Sequence, residues 1–221
     1  MLTYGPWDGV PGLRHGFLDA GESAAAPDWH AALAAHGVLV PLARPRQVHG
    51  ATVLLADAAT PETPGDAVVA TRPGVAVGVI TADCVPILLR DRHGRAVAAV
   101  HAGWRGAAAG VLETTLETLA HAAKVEPHDV EALIGPAASG CCYEVGPDVW
   151  QALRHRAAAA FVPRSDRHML DLRAAVCMLA EAAGVADTHV LGPCTICDRR
   201  YASYRRDGAA AGRQLSFIAL T

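Results

Sequence analysis

Apolar residues fall into short runs separated by turn-forming residues. Thr52–Leu55, Val75–Ile80, Ile87–Leu89 and Ala96–Val100 are too short and too rich in β-branched residues for helices, so they predict strands. Asp91-Arg92-His93-Gly94, between the last two, predicts a hairpin turn and antiparallel pairing. Over 107–123 the period changes. Leu112, Leu116, Leu119 and Ala123 recur on one face of a helix, with Glu113 and Glu117 outside that stripe. Val130–Ile134 predicts a strand that ends at Gly135-Pro136. Asp148–Ala158 and Leu170–Ala183 predict helices, with Pro147 suited to the start of the first and Gly184 to the end of the second. Gln214–Leu220 predicts a final strand, and residues 19–28 and 57–66 predict surface loops. Strands and helices mix without a strict βαβ rhythm, which favours an α+β class, helices packed on mixed sheets.

Composition narrows the picture. The chain has 221 residues, 52% of them apolar, which suits one domain over 1–221 that folds without disulfides or metal. Nineteen basic against 22 acidic side chains give a formal net charge of −3, excluding a nucleic-acid coat or a polybasic membrane clamp. Nearly all the positive charge is arginine, Lys124 being the single lysine. No apolar run is long enough for a transmembrane helix, and the first residues have neither the basic nor the apolar region of a secretion signal. A cytoplasmic monomer is expected, with no nucleic-acid or membrane partner. Six cysteines are too sparse for a disulfide scaffold and fit metal ligation, catalysis or burial as small hydrophobes. Neither glycine-rich phosphate loop, nor a complete Gly-x-Ser-x-Gly, nor His-Glu-x-x-His occurs.

Three segments stand out: Arg46-Gln47-Val48-His49-Gly50, Thr81-Ala82-Asp83-Cys84-Val85-Pro86 and Val100-His101-Ala102-Gly103-Trp104-Arg105-Gly106. Each puts a soft or borderline metal donor at the end of a strand or in the loop after it. The donors are far apart in the chain, so the fold must gather them. If gathered, His49, Cys84 and His101 would make a three-ligand zinc site with a fourth position left for water or substrate. Each residue also has an ordinary reading, Cys84 as a buried small hydrophobe and the histidines as hydrogen-bonding or capping groups. Arg105, in a glycine-rich turn before a helix, offers donors suited to phosphate or carboxylate, or simply decorates that turn.

These segments resemble the YfiH-type "laccase domain" family, whose members are also called polyphenol oxidase-like proteins or zinc-dependent purine nucleoside phosphorylases. The likeness continues through Ile134-Gly135-Pro136, Cys142-Tyr143-Glu144-Val145-Gly146, Leu170-Asp171-Leu172, Cys194-Thr195 and Ser203-Tyr204-Arg205-Arg206-Asp207-Gly208 to Gly212-Arg213, spanning roughly residues 38–220. The resemblance implies one zinc ion on His49, Cys84 and His101. It implies an α/β/β/α-type sandwich related to bacterial cysteine-dependent toxin deamidase domains. It also implies phosphorolysis of adenosine, inosine, guanosine or methylthioadenosine, hydrolytic deamination of adenosine and, in some bacterial members, editing of peptidoglycan precursors. Purine nucleoside and phosphate are the expected partners. Copper is less expected, because the clustered His-x-His pairs of a multi-copper site are missing. His15-Gly16-Phe17 fits the family, whereas Leu18-Asp19-Ala20-Gly21-Glu22-Ser23 departs from its usual basic, Gly-Gly-Val-Ser stretch and a later Asn-Leu-rich segment is absent.

Further residues have rival readings. Asp83 would serve as acid/base or orient a ligand histidine only if a local turn overrides strand alternation, which otherwise sends it away from the side of Cys84. Arg46 lies close enough to His49 in sequence to reach the same pocket; Arg205-Arg206 read as a solvated turn, or, as the resemblance implies, one of them, Arg205 being the choice, is an anion or ribose contact. Cys141-Cys142 are too close to bridge each other, and the resemblance implies that their loop borders the pocket, with one of them in its wall rather than a nucleophile; Cys194-x-x-Cys197 reads as a structural or incidental pair, since no second such motif exists. The remaining histidines follow no ligand pattern and are expected mostly at the surface. Two other functions compete with the zinc enzyme. One is a metal-free cysteine hydrolase or amidase with Cys84 as nucleophile and His101 or His49 as base; the other is a binding or editing protein for cell-wall precursors.

Overall fold

The computed structural model describes residues 1–26, 28–164 and 167–221, so Pro27 of the expected 19–28 loop lies outside it. The strands are β1 (Leu13–Phe17), β2 (Leu42–Ala43), β3 (Val53–Leu55), β4 (Ala67–Ala70), β5 (Val75–Thr81), β6 (Val85–Asp91), β7 (Val97–Ala102), β8 (Val130–Ile134), β9 (Glu144–Val145), β10 (Phe161–Arg164), β11 (Arg167–Leu170), β12 (Asp187–Val190) and β13 (Gln214–Leu220). The helices are α1 (Gly5–Asp8), α2 (Ala20–Ala25), α3 (Trp29–Ala34), α4 (Trp104–Ala109), α5 (Val111–Ala123), α6 (Pro147–Ala157), α7 (Leu172–Ala182) and α8 (Tyr204–Asp207). Among the described residues no helix is long and apolar enough to cross a membrane.

The fold is mixed α+β, as expected. A four-stranded sheet runs β1-β13-β5-β2, a six-stranded sheet runs β12-β8-β6-β7-β4-β3, and β10-β11-β9 form a small third sheet. Strand alternation sorts the side chains into layers. Val97 and Ala99 of β7, Leu88 of β6 and Leu133 of β8 meet Val77 and Val79 of β5 and Ile218 of β13 between the two large sheets. The intervening Ala98, Val100, Ile87 and Leu89 face the other way, onto Leu112, Leu116 and Leu119 of α5 and Val176 and Leu179 of α7. On the outer face of the four-stranded sheet, Ala76, Leu215, Phe217 and Ala219 pack against Ala32 and Leu33 of α3. Strands covered on both faces read as unbroken apolar runs.

The β6–β7 hairpin forms as expected, with Gly94 in a left-handed conformation at its turn (φ +74°) and its N–H donating to the Asp91 carbonyl at 3.0 Å. Three expectations are corrected. The helix foreseen over 107–123 is two helices, because Gly110 takes φ +87° and breaks the run between α4 and α5. The expected loop at 19–28 contains α2, whose start carries a reciprocal cap: Asp19 accepts from the Glu22 N–H at 2.8 Å, and Glu22 accepts from the Asp19 N–H at 3.0 Å. The 57–66 loop is not wholly superficial, since its last residue, Asp66, is fully buried. Strands β1, β2, β4 and β9–β12 had no sequence counterpart; several are two to four residues long and alternate too briefly to be seen.

Candidate active site

The site lies where β4, β5, β6 and β7 end. Val97 and Ala99 face the space between the large sheets, and the same alternation puts His101 on that side at the end of β7. Antiparallel register pairs Ala67 with Val100, so Asp66, one residue before β4, lies opposite His101. Asp66 gathers several donors. Its carboxylate accepts from His101 Nδ1 at 2.8 Å and from the N–H groups of His49 at 2.9 Å, Gly50 at 2.7 Å and Val48 at 3.2 Å. Burial opposes ionisation, but the hydrogen bonds from His101 and from the Gly50 and His49 amides outweigh it and hold the Asp66 carboxyl below its usual range. With Nδ1 committed to Asp66, His101 has Nε2 left for the pocket.

His49 is held by its backbone. Gln47 mimics a strand partner: its Nε2 donates to the Ile80 carbonyl at 2.7 Å and its Oε1 accepts from the Ile80 N–H at 2.8 Å. This fixes residues 46–50 beside β5, and His49 itself sits in the left-handed region, φ +61°, a strained state that the Asp66 carboxylate secures. Cys84 sits in the turn that passes from one large sheet to the other, since β5 ends at Thr81 and β6 begins at Val85. His49, Cys84 and His101 each present a donor atom within 4.8 Å of the others. Burial pushes the Cys84 thiol up, yet its hydrogen bonds to His101 and His49 prevail and bring it down to about 6. Burial likewise lowers His101, but Asp66 and Cys84 raise it to about 9.

Two glycines admit this approach. A Cβ on Gly103 would stand 3.0 Å from Cys84 Sγ and 3.2 Å from His49 Cδ2. One on Gly106 would stand 2.9 Å from the Gly50 carbonyl oxygen, so α4 can lie against the His49 loop only without a side chain there.

The three donors open into a cavity of about 560 Å³, within the range of small-molecule sites. Arg46, Arg105 and Arg205 line it, joined by Arg44 and Arg213, making five arginines among the described residues. Arg105 lies over the Trp104 ring at 4.3 Å, and Arg205 over Tyr143 at 4.8 Å. Asp83 is turned to the same side by the local turn that strand alternation required, with φ +84°. Its oxygens are already engaged: Oδ1 accepts from the Thr195 hydroxyl at 2.7 Å and Oδ2 from the Arg205 N–H at 2.6 Å. Asp83 therefore ties the 194–205 segment to the Cys84 turn, with both of its oxygens accepting hydrogen bonds there.

The cavity lining contains neither Cys141 nor Cys142, the wall there being Tyr143; the two cysteines face Cys194 and Cys197 instead. Arg206 is a brace whose guanidinium donates to the Thr195 and Tyr201 carbonyls. His15 breaks the surface expectation: it is buried and accepts from the Tyr4 N–H at 2.9 Å, and burial lowers its pKa. Sequence reasoning missed Asp66, Arg44, Tyr143 and Tyr204. A buried carboxylate opposite a candidate ligand histidine is visible only once register is known. A third acidic and histidine group, Asp91, His93 and Asp129, is bridged by Arg95, which donates to Asp91 at 2.9 Å and to Asp129 at 3.0 Å.

Residues 21–221 match a family model described as multi-copper polyphenol oxidoreductase laccase. A Deinococcus radiodurans protein named purine nucleoside phosphorylase is 38% identical over 179 residues, covering 80% of this chain and 70% of that protein. Purine nucleoside phosphorylase YfiH of Escherichia coli K12 is 37% identical over 177 residues, covering 78% and 71%. Among solved structures, a Neisseria meningitidis protein of family DUF152 superposes with a TM-score of 0.81 at 35% identity, covering 97% of this chain and 96% of that one. YlmD from Geobacillus stearothermophilus superposes with a TM-score of 0.83 at 26% identity, covering 98% and 94%. With the family model spanning nearly its whole length and relatives named YfiH matching most of it, the chain belongs to the laccase-like YfiH family.

Proposed function

We propose that the protein is a zinc-dependent purine nucleoside phosphorylase acting on adenosine, inosine, guanosine or methylthioadenosine, with hydrolytic deamination of adenosine as a companion activity. The observation that carries this reading is the convergence of two imidazoles and a thiol at the base of an arginine-lined cavity. The donor set fits zinc: one thiolate and two imidazoles, one of the latter oriented by a buried carboxylate, all three residues lining the cavity. His49, Cys84 and His101 would hold the ion, which supplies Lewis acidity toward an oxygen or nitrogen of the substrate. A copper assignment finds less support in this single mixed cluster than in the multi-histidine sites copper oxidases use.

The residues of the chain do the rest. Arg105, Arg205 and Arg46 bind and orient inorganic phosphate by charge and paired N–H donors. The phosphate oxygen attacks the ribose anomeric carbon, the glycosidic carbon–nitrogen bond breaks, and the base leaves with its electron pair and takes up a proton. The products are free purine and ribose 1-phosphate, or its 5-methylthio derivative when methylthioadenosine is the substrate. Tyr143, stacked beneath Arg205, offers an aromatic face at the cavity wall. Asp83 keeps Arg205 in place. In deamination, water adds at purine C6 and ammonia leaves, with no phosphate consumed.

The test is incubation of zinc-loaded protein with adenosine or inosine, with and without phosphate, while adenine, hypoxanthine, inosine and ribose 1-phosphate are followed. Phosphate-dependent base release that disappears in Cys84→Ala is the expected result; turnover no greater than that control ends the proposal. A second reading, a metal-free cysteine hydrolase with Cys84 as nucleophile and His101 or His49 as base, is favoured by the low pKa of the Cys84 thiol. It would suit the implied kinship with toxin deamidase domains. Protein that stays fully active after chelation, and is inactivated by alkylation of Cys84, would establish it in place of the zinc enzyme.

A further inference from the structure

Outside the cavity, four thiols converge from two segments of chain. Cys141 and Cys142 lie in a turn after β8, where the Cys142 and Tyr143 N–H groups both donate to the Ser139 carbonyl, at 3.1 and 3.0 Å. Cys194 and Cys197 lie in a second turn, where the Asp198 N–H donates to the Cys194 carbonyl at 3.0 Å. The two turns are joined by a parallel bridge between Ala137 and Cys194, extended by the Thr195 N–H donating to the Ala137 carbonyl at 3.1 Å. All four Sγ atoms fall within 4.8 Å of one another, with Cys142 and Cys197 at 2.8 Å and Cys141 and Cys197 at 3.4 Å.

Three ordinary explanations account for this poorly. Burial as small hydrophobes fails, because Cys141 and Cys197 are exposed and Cys142 is half-buried. A disulfide uses two of the four sulfurs, and the adjacent pair cannot close on itself. Chance packing of one Cys-x-x-Cys pair does not explain why the other two cysteines, more than fifty residues away, both turn toward it. Four thiolates around one ion do. Zinc–sulfur bonds of about 2.3 Å in a tetrahedron set neighbouring sulfurs roughly 3.8 Å apart, within the spread found here.

We propose that Cys141, Cys142, Cys194 and Cys197 form a second, structural site for a thiophilic divalent cation, zinc by its donor set, separate from the His49–Cys84–His101 centre. Its work is mechanical. The first turn leads into Tyr143 and the second into Tyr204 and Arg205, all of which line the cavity. Arg205 reaches back across the pair, donating to the Glu144 carbonyl at 2.7 Å. A four-thiolate ion locks the two turns together, so this cavity wall keeps its shape when substrate enters and leaves. The four-coordinate sulfur shell leaves no position for substrate. No ligand is shared with the other centre, so occupancy can be read without any activity measurement.

The experiment is zinc analysis of the full chain and three variants, purified without chelator, loaded with zinc and freed of excess ion by gel filtration. Cys84→Ala is expected to keep one tightly held zinc, and Cys84→Ala with Cys197→Ser none. Cys197→Ser alone is expected to hold one zinc fewer than the unaltered chain. X-ray absorption of the Cys84→Ala protein is expected to show four sulfur neighbours; because this variant keeps all four cysteines, it decides the matter even if Cys197→Ser fails to fold. Absence of zinc from Cys84→Ala, a shell containing nitrogen, or a Cys142–Cys197 disulfide in metal-free protein handled anaerobically would each overturn the proposal.

Discussion

Asp66 shows how one side chain sets the chemistry of its neighbours. It carries no catalytic motif, yet it fixes the His101 ring and three amides of the His49 loop. Asp66→Asn retains an acceptor for some of these but loses the charge that steadies His101. Zinc affinity at the His49–Cys84–His101 centre is expected to fall about 10–100-fold, measured by competition with a chromophoric chelator. Gly103→Ala is expected to abolish binding at that centre while thermal unfolding changes little, because the new methyl group meets Cys84 and His49 rather than the core. In chelator-treated protein Cys84 is protonated below about 6 and a thiolate above it. Its alkylation rate should therefore climb between about pH 5 and about pH 7 and then level off, well below the pH at which an ordinary thiol of pKa about 8.5 would respond. Added zinc should suppress the reaction; a rise centred near pH 8.5 would contradict the imidazole pairing.

Elements place these residues through their ends rather than their interiors. The strands β6 and β7 are mostly apolar, and the site occupies the position just before β6 starts and the position where β7 stops. The break between α4 and α5 has the same character. Gly110 holds φ +87°, so α4 can turn its short length toward the His49 loop while α5 lays Leu112, Leu116 and Leu119 on the sheet. Gly110→Ala places a β-carbon in the left-handed region, and urea unfolding should show a loss of about 1–2 kcal/mol. The amphipathic stripe was plain in the residues, whereas the break was not: a single glycine within a helical period is as often tolerated as not.

Across the whole molecule, stability and chemistry are kept apart. The space between the two large sheets is filled by Val77, Val79, Leu88, Val97, Ala99, Leu133 and Ile218, away from the donor atoms. Leu88→Ala leaves a void in that layer and is expected to cost about 2–5 kcal/mol in denaturant unfolding. Metal stoichiometry under native conditions should be unchanged. A marked loss of bound metal with little loss of stability would show that the donors depend on this layer more directly than the packing indicates.

Residue types and spacings along the chain were enough for the α+β class, the main strands and the stripe of α5, because burial on one or two faces leaves a local periodic record. They offered His49, Cys84 and His101 as a donor set beside ordinary readings of each residue, and the resemblance of the flanking motifs favoured the set. Folding alone decided that the three meet, that Asp66 lies opposite His101, that Asp83 turns to their side and accepts from Thr195 and Arg205, and that two unpromising cysteine pairs face each other. Those outcomes depend on strand register and on turns such as that at Asp83, which join residues distant in the chain. Contacts of that kind have no period, and so leave no mark in the order of the residues.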